Sequence, residues 1–272
     1  MEKQPIGVFD SGLGGLTAVK RLAELLPREY IVYLGDTARV PYGSRSQETI
    51  LRYAREDARF LLSHEIKAML VACNTVSSSA LEVITPEIPV PVFGVIEPPA
   101  ARAAVLTKNG KIGVIGTAAT VRADAYRAAI GRIEPSVEVV SVACPLFVPL
   151  VENGRTAADD VAVRAIAQDY LQQLIDFGAD TVILGCTHYP LLADAIAQTL
   201  GEGVTLVDSG AVTAETVASK LETLGLLTPT PPKADAPGRR RFYVTDSTAD
   251  FAAQASRFLE SDVFGNIEQV FI

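Results

Sequence analysis

Ile6-Gly7-Val8-Phe9-Asp10-Ser11 is echoed 106 residues later by Ile112-Gly113-Val114-Ile115-Gly116-Thr117. In each copy a short apolar run, of the kind that forms a strand covered on both faces, ends in glycine and small polar residues that signal a turn. A second echo lies deeper in each half, where Val71-Ala72-Cys73-Asn74-Thr75 matches Leu184-Gly185-Cys186-Thr187-His188 at an offset of 113. Either match alone could be chance, but two at nearly one offset point to duplication. A period of roughly 110 residues exceeds that of solenoid repeats and predicts two similar domains instead.

Outward from these runs, strand and helix patterns alternate. Ile6 to Phe9 leads to a helical spacing of Leu16, Val19, Leu22, Ala23 and Leu26, stopped by Pro27. Tyr30 to Leu34 reads as the next strand. After the Pro41-Tyr42-Gly43 turn, Ile50, Leu51, Ala54, Ala58, Leu61 and Leu62 share one helix face. Further strands are predicted at 68–72, 90–95, 112–115, 137–142, 181–184, 204–207 and 241–245. The class is therefore α/β: two similar pseudo-symmetric domains, each a mainly parallel sheet flanked by helices, with the active site in the cleft between them. Residues 1–97 plus 209–272 are expected to form the first domain and 98–208 the second. The Pro-rich stretch from Pro229 to Pro237 reads as a surface loop. The strand and helix after it, with Phe251, Ala255, Phe258 and Leu259 on one face, are too few for a core and should pack back onto the first domain.

Composition narrows the function. A 272-residue chain that is 49% hydrophobic suits two ordinary cores, and its net charge of −8 opposes a nucleic-acid surface. The basic run Arg239-Arg240-Arg241 reads as a solvated strand entry. No apolar run is long enough to span a membrane, and the N-terminus does not resemble a secretion signal, so a cytoplasmic location without membrane attachment is expected. The three cysteines should then stay reduced.

Ligands of open α/β sheets bind beyond the carboxyl ends of the strands, where the repeat puts Cys73 and Cys186. Two such domains face to face would set these thiols on opposite sides of a ligand. Inverting a stereocentre by proton transfer needs a base on one face and an acid on the other, which two thiols can supply. Each cysteine precedes a predicted helix, whose N-terminus should favour the thiolate. His188 and Asp10 are placed to assist proton movement. Buried packing is the alternative for either cysteine alone. Cys144, before Pro145, reads as packing and His64 as surface.

Asp10-Ser11-Gly12-Leu13-Gly14-Gly15 also admits a dinucleotide-binding reading, with Asp36 as the acidic partner. Against it, the third glycine of that fingerprint falls on Thr17. A turn presenting Asp10 and Ser11 to a substrate ammonium is more coherent. Two histidines and three scattered cysteines show no metal-ligand spacing.

Taken together, Phe9-Asp10-Ser11-Gly12-Leu13-Gly14-Gly15, Pro41-Tyr42-Gly43, Ala72-Cys73-Asn74-Thr75 and Gly185-Cys186-Thr187-His188-Tyr189-Pro190 resemble the bacterial glutamate racemases over nearly the whole chain. The resemblance implies an isomerase that interconverts L- and D-glutamate with neither pyridoxal phosphate nor metal. It implies Cys73 as the proton carrier for the D-enantiomer and Cys186 for the L-enantiomer. Asp10, Ser11, Tyr42, Gly43, Asn74, Thr75, Thr187 and His188 become substrate contacts, with Ser44, Thr117, Thr120 and Glu152 as further cleft positions. D-glutamate for peptidoglycan, and so for cell-wall biogenesis and cell shape, is the implied product, and a homodimer the expected assembly. Aspartate racemase or maleate isomerase of the same superfamily, a nicotinamide enzyme and a non-catalytic amino-acid binder are the alternatives.

Overall fold

The computed structural model describes residues 4–229, 239–259 and 267–272. Most of the Pro-rich stretch read as a loop, positions 230–238, lies outside the described residues. The chain runs β1 (Ile6–Asp10), α1 (Leu16–Leu25), β2 (Ile31–Gly35), α2 (Gln47–Leu62), β3 (Ala68–Val71), α3 (Asn74–Ser79), α4 (Leu81–Ile84) and β4 (Val92–Gly94). It continues through α5 (Glu97–Leu106), β5 (Lys111–Gly116), α6 (Ala118–Ala123), α7 (Ala125–Ile133), β6 (Glu138–Ala143), α8 (Phe147–Glu152), α9 (Val161–Phe177) and β7 (Thr181–Gly185). The last elements are α10 (Ala193–Leu200), β8 (Thr205–Asp208), α11 (Ser209–Thr223), β9 (Arg240–Val244), α12 (Thr248–Leu259) and β10 (Ile267–Gln269).

These strands form two all-parallel sheets, ordered β10-β9-β2-β1-β3-β4 and β6-β5-β7-β8. The repeat read in the sequence holds down to register. Phe9 pairs with Val71 across β1 and β3, and Ile115 pairs with Leu184 across β5 and β7. Cys73 and Cys186 therefore follow equivalent strands at equivalent heights.

Parallel strands must be covered on both faces, and alternate side chains enter different cores. In β1, Ile6 and Val8 pack with Leu16, Val19 and Leu22 of α1, while Phe9 packs with Ile50, Ala54 and Leu61 of α2. In β5, Ile112 and Val114 join Ala100, Ala103 and Ile130 of α5 and α7. The predicted strand at 90–95 shortens to Val92–Gly94, since Pro91 cannot donate a ladder hydrogen bond. The C-terminal segment does pack back: β9 pairs with β2, and Phe251 and Phe242 stack around Tyr33. The sequence reading missed β10, which extends that sheet beyond β9.

One buried ion pair fastens this first sheet to the segment after α11. Lys67 Nζ donates to Glu29 Oε2 and to Thr228 Oγ1 at 3.2 Å, while Thr228 N and Oγ1 each donate to Glu29 at 2.7 Å. Both charged side chains are almost wholly enclosed. Removing one partner would strand a buried charge, so Lys67→Met should lower unfolding free energy by about 3–5 kcal/mol in urea titration. Breaking the exposed Arg55–Glu87 pair should leave the urea midpoint nearly unchanged.

Candidate active site

Beyond the carboxyl ends of β1, β3, β5 and β7 lies a cavity of about 440 Å³. Asp10, Ser11, Tyr42, Gly43, Ser44, Cys73, Asn74, Thr75, Thr117, Glu152, Cys186, Thr187 and His188 all line it. Thr120 is set back from the wall and bonds Thr117 Oγ1 at 3.0 Å. The sequence reading missed Val40, Pro145, Val148 and Pro149, which supply apolar wall. Val148 and Pro149 precede Glu152 by one helical turn on α8, so that spacing was the available signal. A larger depression of about 740 Å³ near α4 and α7 holds neither cysteine nor histidine.

The two lobes touch where a side chain is missing. A Cβ on Gly14 would stand 2.1 Å from Thr187 Oγ1 and 2.6 Å from His188 Nδ1. Nearby, Thr17 Oγ1 lies 3.4 Å from Thr187 O. Across the cavity, a Cβ on Gly43 would meet Thr117 Cβ at 2.9 Å, and Thr75 and Thr117 join hydroxyls at 3.1 Å.

On the first lobe, Asp10 Oδ2 accepts the N–H of Gly12 (3.3 Å) and Gly15 (2.9 Å). Its Oδ1 is buried with no partner among the described residues. Burial pushes the Asp10 carboxyl upward, against the opposing pull of His188 and the N–H donors. Cys73 Sγ lies 3.5 Å from Ser11 Oγ. Burial, and then the Asp10 charge, push this thiol up to about 12. The sequence reading expected α3 to favour a thiolate here. In the closed cavity desolvation outweighs the first-turn N–H groups, so Cys73 is a neutral thiol.

The second lobe differs. Cys186 Sγ stands 3.9 Å from His188 Nδ1, and His188 Nε2 stands 3.2 Å from Glu152 Oε1. Burial alone would lower the imidazole, but the Cys186 sulfur and Glu152 carboxylate more than offset it and raise His188 to about 10. No α-helix directly follows Cys186: Tyr189–Leu192, with Pro190 inside, forms a 3-10 turn before α10. The His188 ring lies beside the Cys186 sulfur where the sequence predicted a helix N-terminus. Phe258 of α12 meets the His188 ring edge-on at 5.6 Å, and Arg257 donates to Glu152 O at 3.3 Å.

Two predicted contacts hold their polar groups away from the cavity. Asn74 Nδ2 donates to Ser209 Oγ at 3.3 Å and Oδ1 accepts from Tyr126 at 2.6 Å. Tyr42 OH turns toward Asp36 and Asp57. Asp36 also accepts from Thr245 Oγ1 (2.8 Å) and Arg39 Nε (2.5 Å), so it offers no free face to a ribose. The dinucleotide reading of the glycine turn therefore loses its acidic partner. Among the described residues no three His, Cys, Asp or Glu side chains are grouped to hold a metal, and no helix is long and apolar enough to cross a membrane. Cys144 is buried, with Sγ directed at Val142 O at 3.7 Å, as read. His64, read as surface, is half-buried between Phe60 and Tyr243.

Comparison with known proteins adds an independent line. Residues 6–217 match the family model described as Asp/Glu/Hydantoin racemase. A glutamate racemase of Geobacter metallireducens is 49% identical over 99% of this chain and 97% of its own. A glutamate racemase isoform from Bacillus anthracis superposes with a TM-score of 0.93 at 38% identity, covering 100% of this chain and 99% of that one. The glutamate racemase of Francisella tularensis, solved in complex with D-glutamate, gives 0.91 at 37% identity over 100% and 98%.

Two outcomes follow from the geometry. Gly14→Ala must displace the Thr187-His188 corner, and a shift near 1 Å should cost about 10²-fold in kcat/KM of racemase turnover while the far-ultraviolet circular dichroism stays native. For His188, the folded-state value of about 10 lies above the ordinary 6.5. Its protonation thus contributes stability that is full below pH 6.5 and fades as pH rises toward 10. The Tm deficit of His188→Gln should shrink over that window, and imidazole ¹⁵N spectra at pH 8 should show a ring protonated on both nitrogens.

Proposed function

The chain belongs to the Asp/Glu/hydantoin racemase family of isomerases, and we propose that it interconverts L- and D-glutamate, without a cofactor, by proton transfer at the α-carbon between Cys73 and Cys186. One observation carries this reading. Two unpaired thiols, set by equivalent strands of a duplicated fold, reach one cavity from opposite lobes.

Inversion requires one sulfur to remove the α-proton while the other delivers a proton to the opposite face, each within roughly 3–3.5 Å of the carbon. Cys186, beside the protonated His188, is the base toward L-glutamate, and the neutral Cys73 thiol then donates. In the reverse direction Cys73 removes the proton from D-glutamate and Cys186 returns one. Asp10 Oδ1, buried and unpartnered, suits the substrate ammonium. That cation beside Cys73 would offset the Asp10 charge and so favour the Cys73 thiolate. Ser11 and the 74–75 and 187–188 corners receive the α-carboxylate, and the 42–44 turn with Thr117 faces the side chain.

The sheet membership of β9 and β10 supports a first domain of residues 1–97 plus 209–272 and a second of 98–208. The D-glutamate formed would supply peptidoglycan synthesis, in a cytoplasmic homodimer.

Polarimetry tests the whole reading. Protein dialysed against chelator should bring L-glutamate to an equal mixture of enantiomers and leave L-aspartate essentially unchanged. Recovery of turnover only on adding pyridoxal phosphate or a metal would overturn it. Cys73→Ala and Cys186→Ala should each abolish both directions, because the acid of one direction is the base of the other. In deuterium oxide, the first product molecules should carry deuterium at the α-carbon while remaining substrate keeps hydrogen. Return of the original hydrogen to the product would indicate a single base.

A further inference from the structure

Asp57 sits on the buried face of α2, in the row of Ile50, Ala54 and Leu61, and is fully enclosed. The mechanism above does not use it. Around it lies a cluster in which Asp36, Glu56 and Asp57 all bond to the single guanidinium of Arg39. Asp36 and Asp57 both face the hydroxyl of Tyr42, Asp57 Oδ2 at 3.1 Å.

That hydroxyl has one proton, and two carboxylate oxygens stand within bonding distance of it. If both carboxyls were ionised, one contact would set oxygen lone pairs against each other out of water. Counting donors identifies which carboxyl holds the extra proton. Asp36 is supplied by Arg39 Nε (2.5 Å), Thr245 Oγ1 (2.8 Å) and Tyr42. Among the described residues Asp57 has, apart from the Tyr42 hydroxyl it shares with Asp36, one donor, Arg39 Nη2 on Oδ1 at 3.1 Å, and it lies mid-helix where main-chain N–H groups are already engaged.

We propose that Asp57 is a neutral acid that donates to Tyr42 while Tyr42 donates to Asp36, and that this relay holds the 41–44 turn against the cavity. Every polar atom of the three side chains is then satisfied. Burial and the facing Asp36 charge both push Asp57 well above the carboxylate range, in agreement. The remaining groups around it are Glu56, half-exposed on Arg39, and the Tyr53 ring stacked under Arg39 at 4.2 Å. Asp57 is thus a positioning residue. The 41–44 turn matters to turnover because Tyr42, Gly43 and Ser44 line the cavity, and this part of the inference rests on the function proposed above.

The stability test needs no activity. A neutral Asp57 has a folded-state value above its unfolded one, so the parent loses stability as pH rises from about 4 upward. Asp57→Asn keeps a donor for Tyr42 and an acceptor for Arg39 but has no proton to lose. Its Tm relative to the parent should therefore rise between pH 5 and pH 8. An ionised Asp57 paired with Arg39 has lost its proton in both folded and unfolded states above about pH 5, so its Tm difference from Asp57→Asn would stay flat from pH 5 to pH 8, and that result overturns the proposal. Infrared difference spectra at neutral pH should show a protonated-carboxyl stretch in the parent that Asp57→Asn and Asp57→Leu both lack; its persistence in both variants also overturns the proposal. For turnover, Asp57→Asn should keep KM for glutamate within about twofold, while Asp57→Leu, which leaves Tyr42 without a donor, raises KM about tenfold with kcat little changed. Should glutamate not be turned over at all, the Tm and infrared signs still decide the protonation of Asp57.

Discussion

The site depends on the contact between Gly14 and the Thr187-His188 corner. Only hydrogen on Gly14 allows the first lobe's turn to lie against the second lobe's cysteine loop, with Thr187 Oγ1 at 2.1 Å from where a Cβ would be. That closeness sets the depth of the cleft and brings Asp10 within electrostatic range of His188. Gly43 against Thr117 repeats the device at the other rim. Two lobes held at two such points, each by backbone close to a side chain, have little freedom to alter the spacing of the groups between them.

A duplicated scaffold does not give duplicated chemistry. Cys73 and Cys186 occupy equivalent strand ends, yet one faces a carboxylate and the other an imidazole. Burial, and then the Asp10 charge, keep Cys73 protonated, while the His188 ring beside Cys186 is held by Glu152. Equivalent strand ends thus present the two sulfurs to different polar neighbours.

Much of this was legible in the sequence because the signals were periodic or repeated. Continuous apolar runs marked parallel strands, and the paired offsets marked both the duplication and the height of each cysteine. The edge strand β10 carries only three residues, Ile267–Gln269, too short a run to register as a period. Side-chain direction was also hidden. Tyr42 and Asn74 were read as contacts from their place in motifs, and both turn their polar atoms toward protein partners far along the chain, at Asp57 and Ser209. The Cys73 environment escaped for a related reason: an N-terminal helix position is visible in sequence, but the degree of burial that outweighs it is not.

The most informative discrepancy is the polar residue on an apolar face. Asp57 interrupts the row that α2 buries, so by residue type alone it belongs to solvent, and its burial is tolerated because Arg39 and Tyr42 reach it from a loop 15 to 18 residues earlier. The same logic applies to Asp10, buried at a strand end and left with one oxygen unpaired. An enclosed carboxyl persists only if it is neutral, paired or waiting for a ligand. Asp57, with all its oxygens accounted for in a closed relay, fits a role in holding the turn. Asp10 lines the cavity that also holds two thiols and keeps one oxygen without a partner among the described residues, which leaves that oxygen for a ligand. Similar residues buried in one lobe are thus told apart by counting which of their atoms already have partners.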